Sequence, residues 1–361
     1  MKIGIIASNF IKMPPSPGFM PKGYAGAAET IIWQLTEKLV KRGHDVTIFC
    51  SGDTKTRAKK ISVSRRATSL IKGIGPKKMI DFEYWLISKA ISWAKKEKPD
   101  IICSHIPLRT AIFASSFNCP IVATLHSPPE YDQRYFDSKN QYYVAISNSQ
   151  RKSLPNLNYI ATIHHGLDTK IYEFSAKGGN KFCFIARIVP EKGLHIALKV
   201  AKQLNFKLNV FGEAPEESQE YWREKIMPLK DRNIFHGFCK RDKIQAVLRD
   251  SRALLFPIEV EEAFGLVAIE SMACGTPVVA FKRGAMSEII VNKKNGFLIE
   301  PKDYHGYTEA VKKIINLSEN SYMEMRYFCR KHVEENFSID KMVVEYEKVY
   351  QKIINQKRNS I

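Results

Sequence analysis

The chain has 361 residues, with 56 Lys/Arg against 37 Asp/Glu and a formal charge of +19. That length predicts two domains, each large enough to bury a core, and 44% hydrophobic with 26% charged residues, without repeats or biased tracts, excludes disordered, collagen-like and solenoid classes. Seven scattered cysteines with no CxxC pair argue for reduced thiols and against structural zinc.

The opening MKIGIIASNF turns polar after about five apolar residues, too few for a secretory core, and no later run approaches the roughly 18 needed for a span. The expectation is a cytoplasmic protein. Short apolar runs then alternate with helix-length amphipathic segments, the pattern of parallel βαβ units. Strands are predicted at 2–7, 45–50, 100–104, 121–125 and 142–146, with a helix over 28–41 that Gly43 stops. The segment 166–179, GLDTKIYEFSAKGG, mixes polar and glycine residues and reads as a linker.

The pattern then restarts. Strands are predicted at 181–185, 208–211, 253–256, 278–280 and 296–299, with helices at about 193–203, 240–249, 264–273 and 307–317. A last amphipathic helix covers about 339–355. The fold class is α/β, with two Rossmann-like, doubly wound parallel sheets in tandem. Open parallel sheets bind ligands beyond the carboxyl ends of their strands, so the cleft between two such domains is the expected site.

Charge is uneven along the chain. Residues 1–172 carry 25 bases and 12 acids, and residues 54–80 carry nine bases and no acid. Such a stretch suits an anionic partner: a membrane surface, a charged substrate or nucleic acid. A solvated loop is the plain alternative.

The most informative run is Glu262–Phe281, EAFGLVAIESMACGTPVVAF. Gly265 permits close backbone approach at the mouth of a helix, whose first N–H groups form an anion site. Glu270 lies about two turns into that helix, where a carboxylate can accept hydrogen bonds from two sugar hydroxyls. The spacing of Glu262 and Glu270, the FG dipeptide and the CGTPVV run together resemble the E-x7-E signature of the retaining family-4 glycosyltransferases of the GT-B fold.

The resemblance extends over nearly the whole chain. Gly26-Ala27-Ala28-Glu29 is similar to the family's GG-x-E loop at the donor diphosphate, with an alanine in place of the second glycine. Pro14–Gly18 reads as a lip on the cleft or as an ordinary surface loop. His126, at the end of PIVATLH, matches the active-site histidine in its T-x-H setting, whereas His105 reads as a lining or capping residue. Arg187 and Lys192 match the cations of GR-x-x-x-EKG, with Ala186 where glycine is usual. Gly212 resembles the turn beneath the nucleotide, and the 236–238 loop is expected near the base.

The resemblance implies an acceptor-side domain at 1–167, a nucleotide-sugar domain at 168–338, and a C-terminal helix, 339–361, packing back on the first. It implies a metal-independent retaining transferase using a UDP-, GDP-, ADP- or dTDP-sugar. His126 and Glu262 take the catalytic roles. Gly26, Arg187, Lys192, Gly212, Phe264, Gly265, Leu266 and Glu270 bind the donor. No Asp-x-Asp metal clamp, GxGxxG or GxxxxGK occurs. An epimerase of the same fold and a non-enzymatic binder of anionic ligands are the competing readings. With this fold the basic stretch is expected to meet an anionic bilayer or a lipid-linked acceptor, and no nucleic acid partner is expected.

Overall fold

A computed structural model describes residues 1–15, 26–230, 233–239 and 241–358. The chain divides into two compact units, one of Met1–Gly166 with Ile339–Ile361 and one of Leu167–Ser338.

The first unit is built on a seven-stranded sheet: β1 Lys2–Ile6, β2 Asp45–Phe49, β3 Lys59–Ile61, β4 Ile101–Ser104, β5 Ile121–Leu125, β6 Gln141–Ala145 and β7 Tyr159–Thr162. Its order is β3-β2-β1-β4-β5-β6-β7, with every neighbouring pair parallel. The central strands are apolar on both faces because helices cover both sides. β3 and β7 were not expected; these edge strands are exposed or half-buried and carry no apolar run to mark them.

A 22-residue helix, Pro76–Glu97, packs Leu86, Ile87, Ala90 and Ala94 against this sheet. Trp93 meets Phe49 edge-on at 5.4 Å and belongs to the core, whereas Trp85 is 51% exposed. The C-terminal helix, Ile339–Arg358, is fixed on the same unit. Lys38 Nζ meets Asp340 Oδ1 at 2.7 Å, Arg42 Nε meets Glu347 Oε1 at 2.7 Å, and buried Tyr346 shares a 2.9 Å hydroxyl contact with Thr124.

The second unit holds six strands: β8 Lys181–Ile185, β9 Leu208–Phe211, β10 Ile234–Phe235, β11 Ser251–Phe256, β12 Val278–Phe281 and β13 Gly296–Ile299. The order β10-β9-β8-β11-β12-β13 is again wholly parallel. The chain direction therefore reverses its spread across the sheet between β8 and β11, a switch point of the kind that opens a crevice at strand ends.

The segment 166–179, expected as the linker, contains the boundary between the two units at Gly166 and Leu167. From Leu167 it belongs to the second unit, with buried and exposed residues mixed, and it is tied down by Arg326, which has no exposed surface. The Arg326 guanidinium donates to the carbonyls of Ser175, Arg249, Ser251 and Cys274 at 2.6–3.1 Å, to Thr276 Oγ1 at 3.1 Å and to Tyr322 Oη at 3.0 Å. Arg330 Nη1 adds a bond to Tyr172 O at 2.7 Å. Both arginines lie on Glu319–Asn336, an 18-residue helix that the sequence pattern did not reveal.

Candidate functional site

In the second unit the expected residues gather at the carboxyl ends of β8 and β11, which are paired neighbours. Lys192 closes a short 3-10 turn, Pro190–Lys192, after β8, and Glu262 stands in the loop after β11. Lys192 Nζ meets Glu262 Oε2 at 2.6 Å, with both side chains largely buried. Arg187, on the same β8 loop, is exposed, and among the described residues its guanidinium has no partner.

The Glu262 loop is pinned from beneath. Ala285 N donates to Glu262 O at 2.9 Å, and Glu261 accepts from Gly284 N at 2.7 Å and Arg283 Nη1 at 3.1 Å. Gly284 permits this contact, since a Cβ there would lie 2.2 Å from Glu262 O. Gly265 has φ +93° and caps the helix Leu266–Ala273, and an added Cβ would strike Met286 Cε at 2.5 Å. The helix therefore starts at Leu266, two residues later than expected, because Gly265 holds the left-handed turn.

Glu270 lies on the second turn of that helix, half-buried, with Oε1 accepting from Tyr172 Oη at 2.9 Å. Tyr172 was hidden in the stretch taken for a linker, and no spacing signal identifies it. Phe264 is 2% exposed and packs edge-on to Phe337 at 6.0 Å, so its ring is core and only its backbone faces the loop. Leu266 is half-buried at the helix start. Gly212 N donates to Gly237 O at 2.9 Å and is already committed, while a Cβ at Gly212 would meet Ala186 O at 1.9 Å. In the 236–238 loop, His236 stacks on Phe211 at 4.3 Å and Phe238 is exposed.

In the first unit, β4 and β5 end side by side in His105 and His126. His105 Nδ1 and His126 Nε2 are 2.9 Å apart, and the His165 ring stacks on His126 at 5.4 Å. Burial holds the His126 imidazolium down to about 4, and burial with the neighbouring imidazoles holds His105 and His165 well below the usual range. All three rings are neutral at pH 7. Gly26, with φ +62°, caps the helix Ala27–Lys41 and takes Thr30 N and Oγ1 on its carbonyl. The lip expected at 14–18 runs into residues 16–25, outside the described residues. Among the described residues no group of three or more His, Cys, Asp or Glu side chains is arranged to hold a metal ion.

Two doubly wound parallel sheets in tandem, the second with a cation–carboxylate pair at its switch point, make the GT-B fold, the fold of a large class of glycosyltransferases. Comparison with known proteins agrees: the family described as Glycosyl transferases group 1 matches residues 170–332, and Glycosyltransferase Family 4 matches residues 28–171. The chain belongs to this group 1, family 4 set of glycosyltransferases.

N-acetyl-alpha-D-glucosaminyl L-malate synthase of Bacillus anthracis is 24% identical over 373 positions, covering 92% of this chain and 96% of that protein. Sucrose-phosphate synthase from Thermosynechococcus elongatus has the same fold, with TM-score 0.76, 18% identity and 99% and 100% of the two chains covered. Anabaena HepE, solved in complex with UDP and glucose, gives TM-score 0.73 at 19% identity, over 97% and 99% of the chains.

Proposed function

We propose that this enzyme moves a sugar from a nucleotide-sugar donor to an acceptor hydroxyl with retention of configuration and without a divalent metal. The observation that carries the reading is the Lys192–Glu262 pair at 2.6 Å, set beside a glycine-capped helix N-terminus and exposed Arg187. A departing nucleoside diphosphate concentrates negative charge on its oxygens. Lys192, Arg187 and the first N–H groups of the Leu266–Ala273 helix supply the opposing field.

Glu262 then accepts hydrogen bonds from the donor-sugar hydroxyls, and Glu270, steadied by Tyr172, from the ribose. From the first unit, His126 is assigned to the reacting sugar. With both carboxylates engaged in binding, the leaving phosphate oxygen takes the acceptor proton on the same face of the sugar. The UDP and UDP-glucose complexes of HepE support a sugar nucleotide as donor, and the L-malate of the Bacillus relative's name supports a small hydroxy-acid acceptor.

The helix that begins at the end of the basic stretch contributes a second surface. Lys59 and Lys60 are engaged, with Asp45 and with the carbonyls of Gly52 and Thr54. On the Pro76–Glu97 helix, however, Lys78, Trp85, Lys89 and Lys96 are all exposed and, at 100° per residue, lie within about 40° of one line. A lysine stripe around an exposed indole fits an anionic bilayer surface. No helix among the described residues is long and apolar enough to cross a membrane.

Thermal shifts against UDP-, GDP-, ADP- and dTDP-sugars, in buffer with EDTA, test the donor reading, because a ligand bound only by the folded state raises its stability. One sugar nucleotide is expected to stand out. A flat response to all four would overturn it, and product made with inverted anomeric configuration, or donor isomerised without transfer, would replace the mechanism.

A further inference from the structure

His126 has two ring nitrogens, and the structure commits one of them. Nε2 lies 2.9 Å from His105 Nδ1. His105 is 7% exposed, and its backbone N–H is bonded to Ile6 O at 2.9 Å, so the ring that grips His126 stands at the carboxyl end of a central strand. Only His126 Nδ1 remains to meet a ligand. That atom is shielded and has no hydrogen-bond partner among the described residues.

The proton positions follow from hydrogen-bond arithmetic. Both rings are neutral, so each has one N–H and one lone pair, and one nitrogen of the 2.9 Å contact must donate while the other accepts. The far side of His105 decides which. His105 Nε2 is 3.5 Å from Cys103 Sγ, whose burial pushes the thiol up to about 12 and keeps it as S–H. Tyr350 also lies against this thiol, and its phenol O–H has a proton of its own to give the sulfur; a thiol sulfur is a weak acceptor, whereas an imidazole lone pair is a strong one, so the S–H is left to donate to Nε2. His105 therefore carries its proton on Nδ1 and donates it to His126 Nε2. The His126 proton is left on Nδ1.

We propose that His105 is a positioning residue that locks His126 in the Nδ1–H tautomer, so that His126 meets the donor sugar as a hydrogen-bond donor and not as a base. The inference rests on the reading of His126 as a donor-site residue. It also completes that mechanism: a histidine with its only free nitrogen protonated cannot take the acceptor proton, which leaves that task to the leaving phosphate oxygen. The unpartnered N–H gains an acceptor only when a sugar hydroxyl arrives, so the contact favours bound donor over the empty site.

The test uses the full chain labelled with 15N histidine. Two-bond imidazole correlations at pH 7.5 are expected to show His126 Nδ1 protonated and Nε2 unprotonated. His105→Asn places an amide N–H where Nδ1–H stood and is expected to keep that pattern, with turnover of the sugar nucleotide found by the thermal-shift panel within about threefold of wild type. His105→Leu removes the lock. It is expected to mix the tautomers, raise KM for the sugar nucleotide and lower kcat/KM by roughly 10- to 100-fold, because the lost contact is one that holds the bound donor. The proton on His126 Nε2 in the wild type, a measurement that needs no variant to fold, would overturn the proposal. His126→Ala with wild-type turnover would instead overturn the site reading while leaving the tautomer result standing.

Discussion

Replacing Arg326 should unfold the second unit under conditions that leave the wild type intact. The guanidinium is fully buried with no carboxylate partner among the described residues, and its charge is spread over four carbonyls and two hydroxyls. Arg326→Ala strips all six. Ser251 O keeps a bond from Tyr322 Oη at 3.2 Å and Cys274 O one from Ser175 N at 3.3 Å, but Ser175 O and Arg249 O lose their only partner among the described residues. An orphaned buried acceptor costs about 1–3 kcal/mol, so two of them with the vacated volume come to about 4 kcal/mol. That is a large part of a domain's usual stability of about 5–15 kcal/mol. Urea unfolding read by Trp222, the one tryptophan in the second unit, measures it. Arg326→Lys, with at most three donors, should fall between the two. A loss below about 1 kcal/mol for the alanine variant would refute the reasoning, since the carbonyls would then have found other partners.

Glu270→Gln is expected to weaken sugar-nucleotide binding about as much as it lowers kcat/KM, because a ribose contact serves ground and transition states alike, whereas Glu262→Gln chiefly lowers kcat; steady-state kinetics with wild-type values for both would remove this loop from the site. Arg187→Met with Lys192→Met should lower kcat/KM by at least about 100-fold, with activity insensitive to EDTA, and loss with chelator restored by magnesium would count against the metal-free mechanism. The depressed pKa values of His105, His126 and His165 set a stability window: between the unfolded value near 6.5 and the His126 value of about 4, the unfolded chain binds protons that the folded chain refuses. Stability is therefore full above about pH 7 and falls by up to about 1.4 kcal/mol per pH unit per histidine on acidification, so a urea midpoint unchanged between pH 7.5 and 5 would refute it. For the lysine stripe, the protein should sediment at low salt with vesicles containing phosphatidylserine and not with phosphatidylcholine alone, and Lys78→Glu with Lys89→Glu should abolish this; equal sedimentation of the variant would refute it.

The central strands of the two sheets were legible because they are buried on both faces and read as apolar runs, and the two glutamates because they lie on one loop and helix. Lys192 with Glu262 and His105 with His126 were not legible as pairs. Each couples the ends of two strands distant in sequence, and single-strand patterns do not say which strands are neighbours. For Phe264, the motif gave no sign that the ring is turned into the core. The helix Glu319–Asn336 buries Tyr322, Met325, Arg326, Cys329 and Val333 at helical spacing, but an arginine in the middle of that stripe makes it look solvated.

The Lys192–Glu262 pair gives the empty enzyme its own counter-ion. Under the proposed mechanism the lysine that receives the diphosphate and the carboxylate that receives the sugar neutralise each other until both halves of the donor arrive. A free nucleoside diphosphate must draw Lys192 away while leaving Glu262 with a half-buried charge and no sugar hydroxyl to answer it, and a free sugar gains little from a carboxylate already satisfied. The intact donor replaces both ends of the ion pair at once. After transfer, the same ion pair re-forms as the diphosphate leaves, so the internal salt link competes with the product and sets a limit on how tightly the spent nucleotide can hold the enzyme.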